Sequence, residues 1–339
     1  MEISLMAPEI LLNSGHKMPT LALGTATYPM PPPHQLTSSL IDPSPPATAT
    51  STPQPPMAPR RPSDGPWRLQ WSAASLATAT RFLLRRSCRQ KTLIVTSSCL
   101  PLRKHLGKLQ NAHVIMRTTL NRCWKLGMDY VDLYVVHWPI RIKQSAEFFN
   151  LREEDMLEFD VKGVWEGMEE CRRLGLVKSI GVSNFSCAKL SKLLEFASIP
   201  PAVNQVEINV GWQQQKLLEY CKEKRIHVCA WSPLAANGAI WGSLAVMDSP
   251  ILKEIAAAKN KTIAQVALRW IHEQGGSPIV KSFNKERMKQ NLQIFDWELT
   301  VDELCKIKKV PQAKGYRGDR FVFPEGQYKS VEELWDGEI

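Results

Sequence analysis

From residue 130 onward the chain alternates short apolar segments, rich in β-branched residues, with longer amphipathic ones, and this alternation restricts the fold more than any other feature. Residues 130–137 (YVDLYVVH), 179–183 (SIGVS), 202–208 (AVNQVEI), 227–232 (HVCAWS) and 278–282 (PIVKS) are predicted strands. Residues 164–173, 188–197, 213–224, 251–259, 263–273 and 285–294 are predicted helices, with apolar residues at helical spacing. Short buried strands joined through helices pair in parallel. Right-handed crossovers then leave two architectures, a doubly wound sheet or a closed barrel. No Gly-x-Gly-x-x-Gly follows the first apolar strand, residues 21–25, which weakens the dinucleotide-binding doubly wound option. Polar residues gather at the strand ends: His137, Ser183 with Asn184, Gln205, Ser232, and Lys281 with Ser282. A barrel keeps its site on the face where strands end. Upstream, residues 9–12 and 17–18, joined by Asn13-Ser14-Gly15, read as a hairpin.

The alternation is interrupted. Residues 43–66 are rich in Pro, Ala, Ser and Thr and carry no apolar period, which reads as a disordered linker. Residues 43–124 hold 13 Lys or Arg against a single acid, Asp64, a net of +12, so the rest of the +10 chain carries −2. The basic character therefore belongs to one segment. It lacks interleaved Arg and aromatic spacing, and no nucleic-acid partner is expected. No apolar run is long enough to span a membrane, and the N-terminus lacks a basic-then-apolar leader. The eight cysteines are scattered without metal-ligand spacing; they read as reduced thiols of a cytoplasmic protein, and no metal is expected. At 339 residues and 44% apolar content, the chain can bury one large α/β domain.

The strand-end residues also carry a resemblance. Gly24-Thr25, Val135-Val136-His137-Trp138-Pro139, Gly181-Val182-Ser183-Asn184-Phe185, Val203-Asn204-Gln205-Val206-Glu207, Ala230-Trp231-Ser232-Pro233-Leu234 and Val280-Lys281-Ser282-Phe283-Asn284, with Arg287 and Asn291, occur in the order of the aldo-keto reductases. The chain resembles the plant branch that includes chalcone, codeinone and methylecgonone reductases and deoxymugineic acid synthase. The resemblance implies a single-domain (β/α)8 TIM barrel over residues 1–339, acting as a monomer on a small-molecule carbonyl substrate with NADPH. It implies a cofactor site made of Gly24, Thr25, Ser183, Asn184, Gln205, Trp231, Ser232, Leu234, Lys281, Ser282, Phe283, Asn284, Arg287, Gln290 and Asn291. Ser183, Asn184 and Gln205 would meet the nicotinamide carboxamide, and Trp231 would stack on its ring. Ser232 and Leu234 would line the pyrophosphate path. Lys281, Ser282, Asn284 and Arg287 would hold the adenosine 2′-phosphate, where two cations suit a dianion. His137 would hydrogen-bond the substrate carbonyl, and Trp138 would line the substrate pocket.

The resemblance fails over residues 43–124. The family pairs its histidine with a tyrosine that donates the proton, a lysine that lowers the tyrosine pKa, and an aspartate that orients the lysine. Its Tyr-Arg-His-Phe-Asp-Thr-Ala is replaced here by Thr48-Ala49-Thr50-Ser51-Thr52-Pro53-Gln54, and Ser98 follows Val95-Thr96-Ser97 where the lysine is expected. One nucleotide run can encode both versions, one base out of register. A one-base frame shift after Asp42, running to about Phe82, accounts for the replacement; residues 83–124 have no such account. Three expectations follow. Residues 43 to about 80 are poorly ordered; the second and third strand–helix units are missing or scrambled, leaving unpaired sheet edges; and the chain as written is inactive. The alternatives to a reductase are a non-catalytic NADPH-binding protein and the product of a mis-predicted gene model.

Overall fold

The computed structural model describes residues 7–24, the strand backbones of 81–85 and 91–97, and residues 130–339 apart from 144, 148–149, 240 and 283. The linker reading of residues 43–66, the frame-shift reading up to residue 80, and the placements of Ser98, Thr25 and Phe283 lie outside the described residues.

Strands β1 (Glu9–Leu11) and β2 (Lys17–Pro19) form the expected antiparallel hairpin, with Gly15 in the left-handed region (φ 82°) at its turn. Then come β3 (Ala22–Gly24), β4 (Arg81–Arg85), β5 (Lys91–Ser97) and β6 (Val131–Val136). A small two-stranded sheet, β7 (Arg141–Ile142) with β8 (Met156–Leu157), precedes α1 (Val161–Arg173). The chain then alternates: β9 (Val177–Ser183), α2 (Cys187–Leu194), β10 (Val203–Glu207), α3 (Gln215–Glu223), β11 (His227–Trp231), α4 (Pro250–Lys259), α5 (Ile263–Glu273), β12 (Ser277–Val280) and α6 (Lys285–Leu292). Two further helices close the chain, α7 (Val301–Ile307) and α8 (Val331–Trp335).

Eight strands close a barrel in the order β10-β11-β12-β3-β4-β5-β6-β9. Seven run the same way; β4 runs antiparallel to both β3 and β5. The architecture is thus an α/β barrel whose regular repeat is incomplete at the second station. The expected unpaired edges are not found: Leu23 pairs with Leu83 on one side of the gap, and Ser97 with Val136 on the other. The physical reason is local. Residues 81–85 (RFLLR) and 91–97 (KTLIVTS) are apolar and β-branched enough to pair, and a barrel edge left open exposes a row of unsatisfied backbone groups.

Between barrel and helices lies the main core. Trp165, Met168 and Cys171 on α1 pack with Tyr134, Val136, Ile180 and Val182 from β6 and β9. Trp165 is 1% exposed, and its indole N–H donates to Ile199 O at 3.0 Å. Inside the barrel Leu133, Val135, Val203, Cys229 and Ile279 meet beneath the β1–β2 hairpin residues Leu12 and Met18. Gly181 lets β9 approach β10, since a Cβ there would lie 2.8 Å from Val203 O.

Candidate active site

Seven parallel strands, β5, β6, β9, β10, β11, β12 and β3, form a contiguous arc, and their C-terminal ends share one mouth. His137 follows β6, Ser183 ends β9, Trp231 ends β11, and Lys281 follows β12. Gly24 ends β3 next to β12, where Val280 pairs with Leu23.

A hydrogen-bond network ties the first part of this set together. Ser183 Oγ donates to Gln205 O (2.6 Å). Asn184 adopts the left-handed region (φ 62°), a conformation that Asn tolerates better than most residues. Its Nδ2 donates to His137 O (2.8 Å) and Ser183 Oγ (3.2 Å), and its Oδ1 accepts from Trp231 Nε1 (3.1 Å). Asn184 therefore cross-links the ends of β6, β9 and β11, and both of its amide protons are engaged by protein. Gln205 is 2% exposed, and its Oε1 has no hydrogen-bond partner among the described residues. An unsatisfied buried acceptor costs free energy unless a donor reaches it, and a primary carboxamide supplies one.

His137 stands at the rim with its ring Nδ1 buried, 6.3 Å between ring centroids from Trp138. Burial pushes its imidazole down to about 4, so the ring is neutral at pH 7. Its Nδ1 lacks a partner among the described residues. Trp138 is 5% exposed and packs on the C-terminal segment, with ring centroids 4.8 Å from Phe321, 5.5 Å from Tyr316 and 5.7 Å from Trp335. Those three partners come from the tail beyond the last βα unit, from Gly315 onward, rather than from a strand end.

The other part of the set sits at the start of α6. Asn284 caps the helix, its Oδ1 accepting from Arg287 N at 3.0 Å, and Ser282 Oγ accepts from Asn284 N at 3.2 Å. Lys281, Asn284 and Arg287 are exposed, Gln290 is half-buried with its carbonyl accepting from Gln265 Nε2 (3.1 Å), and Asn291 is buried. Exposed cations beside a helix start fit a phosphate. Ser232 (φ 50°) begins the loop after β11, with Leu234 half-buried beside the barrel.

A phenol, an ammonium and a carboxylate do meet in this protein, but not here. Lys178 Nζ lies 3.1 Å from Asp132 Oδ1 and 3.9 Å from the Tyr130 ring centroid. Tyr130 precedes β6 and Lys178 lies near the start of β9, so the trio occupies the opposite end of the barrel. Six strand residues separate it from the mouth, roughly 20 Å, which forbids direct proton transfer to a carbonyl at His137.

A family model, "Aldo/keto reductase family", matches residues 72–311. Protein REDOX 2 of Catharanthus roseus is 47% identical over 100% of both chains, and Rhazimal reductase 2 of Alstonia scholaris is likewise 47% identical over 100% of both. Deoxymugineic acid synthase 1 of Zea mays is 58% identical over 66% of this chain and 70% of its own. Among solved structures, a Bombyx mori aldo-keto reductase in complex with NADP shares the fold, with TM-score 0.62 at 24% identity over 92% of this chain and 95% of that one. The aldose reductase of Schistosoma japonicum matches with TM-score 0.56 at 28% identity over 62% of this chain and 68% of that one.

Proposed function

Because the chain belongs to the aldo/keto reductase family, we propose that it binds NADPH across the barrel mouth and reduces an aldehyde or ketone there, far more slowly than a chain with a complete tetrad. When bound, NADPH supplies a hydride for the carbonyl carbon. The cofactor reading rests above all on Gln205, whose buried, unpartnered Oε1 would accept from the nicotinamide amide. Ser183 and Asn184 hold the floor beneath it, and Trp231, fixed edge-on by its bond to Asn184, would stack on the ring. Ser232 and Leu234, with Gly24 and Thr25, would follow the pyrophosphate. Lys281, Ser282, Asn284 and Arg287 would take the 2′-phosphate, with Phe283, Gln290 and Asn291 completing that end. His137, kept neutral by burial, would donate a hydrogen bond to the carbonyl oxygen.

The rate statement follows from what His137 lacks. No tyrosine–lysine pair stands beside it among the described residues, and loss of a positioned general acid costs about 10²- to 10⁴-fold. That same lack favours a second reading, NADPH binding without turnover. Tryptophan fluorescence titration tests the cofactor assignment. NADPH should bind at least about tenfold tighter than NADH, and a Lys281→Ala/Arg287→Ala double variant should erase the difference. An unchanged NADPH/NADH ratio in that variant would remove the 2′-phosphate assignment.

A further inference from the structure

The sequence holds six tyrosines, and the structure sorts them. Tyr28 lies outside the described residues. Tyr130 is at the far end of the barrel, beside Lys178. Tyr134 is 1% exposed in the core between β6, β9 and α1. Tyr220 lies on α3, against the Lys224 ammonium. Tyr328 already donates its hydroxyl to Pro139 O at 3.0 Å. Among the described residues Tyr316 remains, and it sits at the mouth. Its ring centroid lies 5.5 Å from Trp138 on the β6 side and 6.4 Å from Trp231 on the β11 side. One aromatic ring thus bridges the residue following His137 and the proposed nicotinamide platform.

This position is built rather than incidental. Tyr316 N donates to Glu207 Oε2 (3.0 Å) at the end of β10. Phe321 and Trp241 flank the ring at 6.4 and 6.3 Å. Two residues earlier, Lys314 Nζ lies 3.4 Å from the Trp335 ring centroid and 4.9 Å from that of Trp212, holding the tail segment against the barrel.

We propose that Tyr316, carried on the C-terminal segment, is the proton donor for carbonyl reduction in this chain. The proposal rests on the cofactor reading above. The carbonyl carbon accepts a hydride from NADPH, the C=O π bond breaks, and its electrons take the proton of Tyr316 Oη. A C–H and an O–H bond form, NADPH becomes NADP⁺, and water returns a proton to the phenolate. Burial pushes the phenol up to about 12, partly offset by the Arg320 guanidinium, 5.6 Å from the ring centroid. The phenol is therefore fully protonated at neutral pH but a weak acid, which accords with slow reduction.

The test compares the full chain with Tyr316→Phe and, as a control at the opposite end of the barrel, Tyr130→Phe. Three quantities are read: NADPH affinity by tryptophan fluorescence, reduction of benzaldehyde, and affinity of the NADP⁺-loaded protein for benzamide, a non-reducible acceptor. Tyr316→Phe should keep NADPH affinity within about twofold, lower benzaldehyde reduction to the protein-free rate, and weaken benzamide about tenfold, the loss of one hydrogen bond. Tyr130→Phe should match the unaltered chain in all three. A Tyr316→Phe protein that retains its rate or its benzamide affinity overturns the proposal. So does an unaltered chain that binds NADPH without reducing benzaldehyde, a result that leaves the cofactor reading standing. An unaltered chain that fails to bind NADPH overturns the cofactor reading and this proposal with it.

Discussion

The arc of seven parallel strands and the single antiparallel strand β4 close the same barrel, yet only the arc serves the mouth in a regular way. In the arc, β5, β6, β9, β10, β11, β12 and β3 all end on one face, and His137, Ser183, Trp231 and Lys281 follow from those ends. In the gap, β4 runs the other way, so its C-terminal residue Arg85 falls on the opposite face, paired with Lys91 at the start of β5. Hydrogen bonding between strands asks only for backbone and β-tolerant side chains. A catalytic station asks also for strand direction, because direction decides which face a strand-end side chain reaches. Closing the barrel and completing the site are therefore separable requirements, and among the described strands β4 meets the first without the second.

The largest effect should come from rebuilding the gap. Replacing residues 43–124 with a segment that restores the family's aspartate, tyrosine and lysine in two strand–helix units should raise kcat for benzaldehyde by about 10²- to 10⁴-fold, the worth of a positioned acid. If kcat stays flat while the rebuilt protein still binds NADPH, strand direction is not what limits the site.

Next in size is a change within the arc. Trp165→Ala removes a fully buried indole and its bond to Ile199 O, and should cost about 3–5 kcal/mol in urea unfolding. A loss below about 1 kcal/mol would mean that α1 does not brace β6 and β9 as packed here.

A smaller effect tests the arc's N-terminal end. His227 begins β11, its Nε2 is 2.8 Å from Ser277 Oγ, and burial pushes its imidazole down to about 4. The folded state thus binds its proton later than the unfolded chain, whose histidine titrates near 6.5. Stability should be intact above about pH 6.5 and fall as the pH drops towards about 4, by on the order of 2 kcal/mol from this group. His227→Gln should flatten that part of the urea-midpoint-against-pH curve; an unaltered slope would show that His227 is not the group taking up the proton.

The βα order of residues 130–294, the hairpin at the N-terminus and the residues that end each strand were legible in the sequence, because each rests on local signals: period, turn residues and caps. Ser183, Asn184, Gln205 and Trp231 were legible as a set from their order, and the structure joins them through Asn184. That Asn184 is satisfied by protein while Gln205 is not was not legible, since it depends on which side chains meet across three strands. The short α7 and α8 were overlooked: each is of seven residues or fewer, too brief for a periodic pattern to stand out.

By itself the sequence determined the direction of each βα unit and which chemical groups its strand ends carry, since strand and helix preferences act over a few neighbouring residues. Only the tertiary structure decided that residues 81–85 enter the barrel antiparallel, that the Tyr130–Lys178–Asp132 trio stands on the wrong face, and that Tyr316 crosses from the tail to the mouth. Each of these is a contact between segments far apart along the chain, fixed by the need to pair open edges and to bury aromatic rings rather than by any local preference.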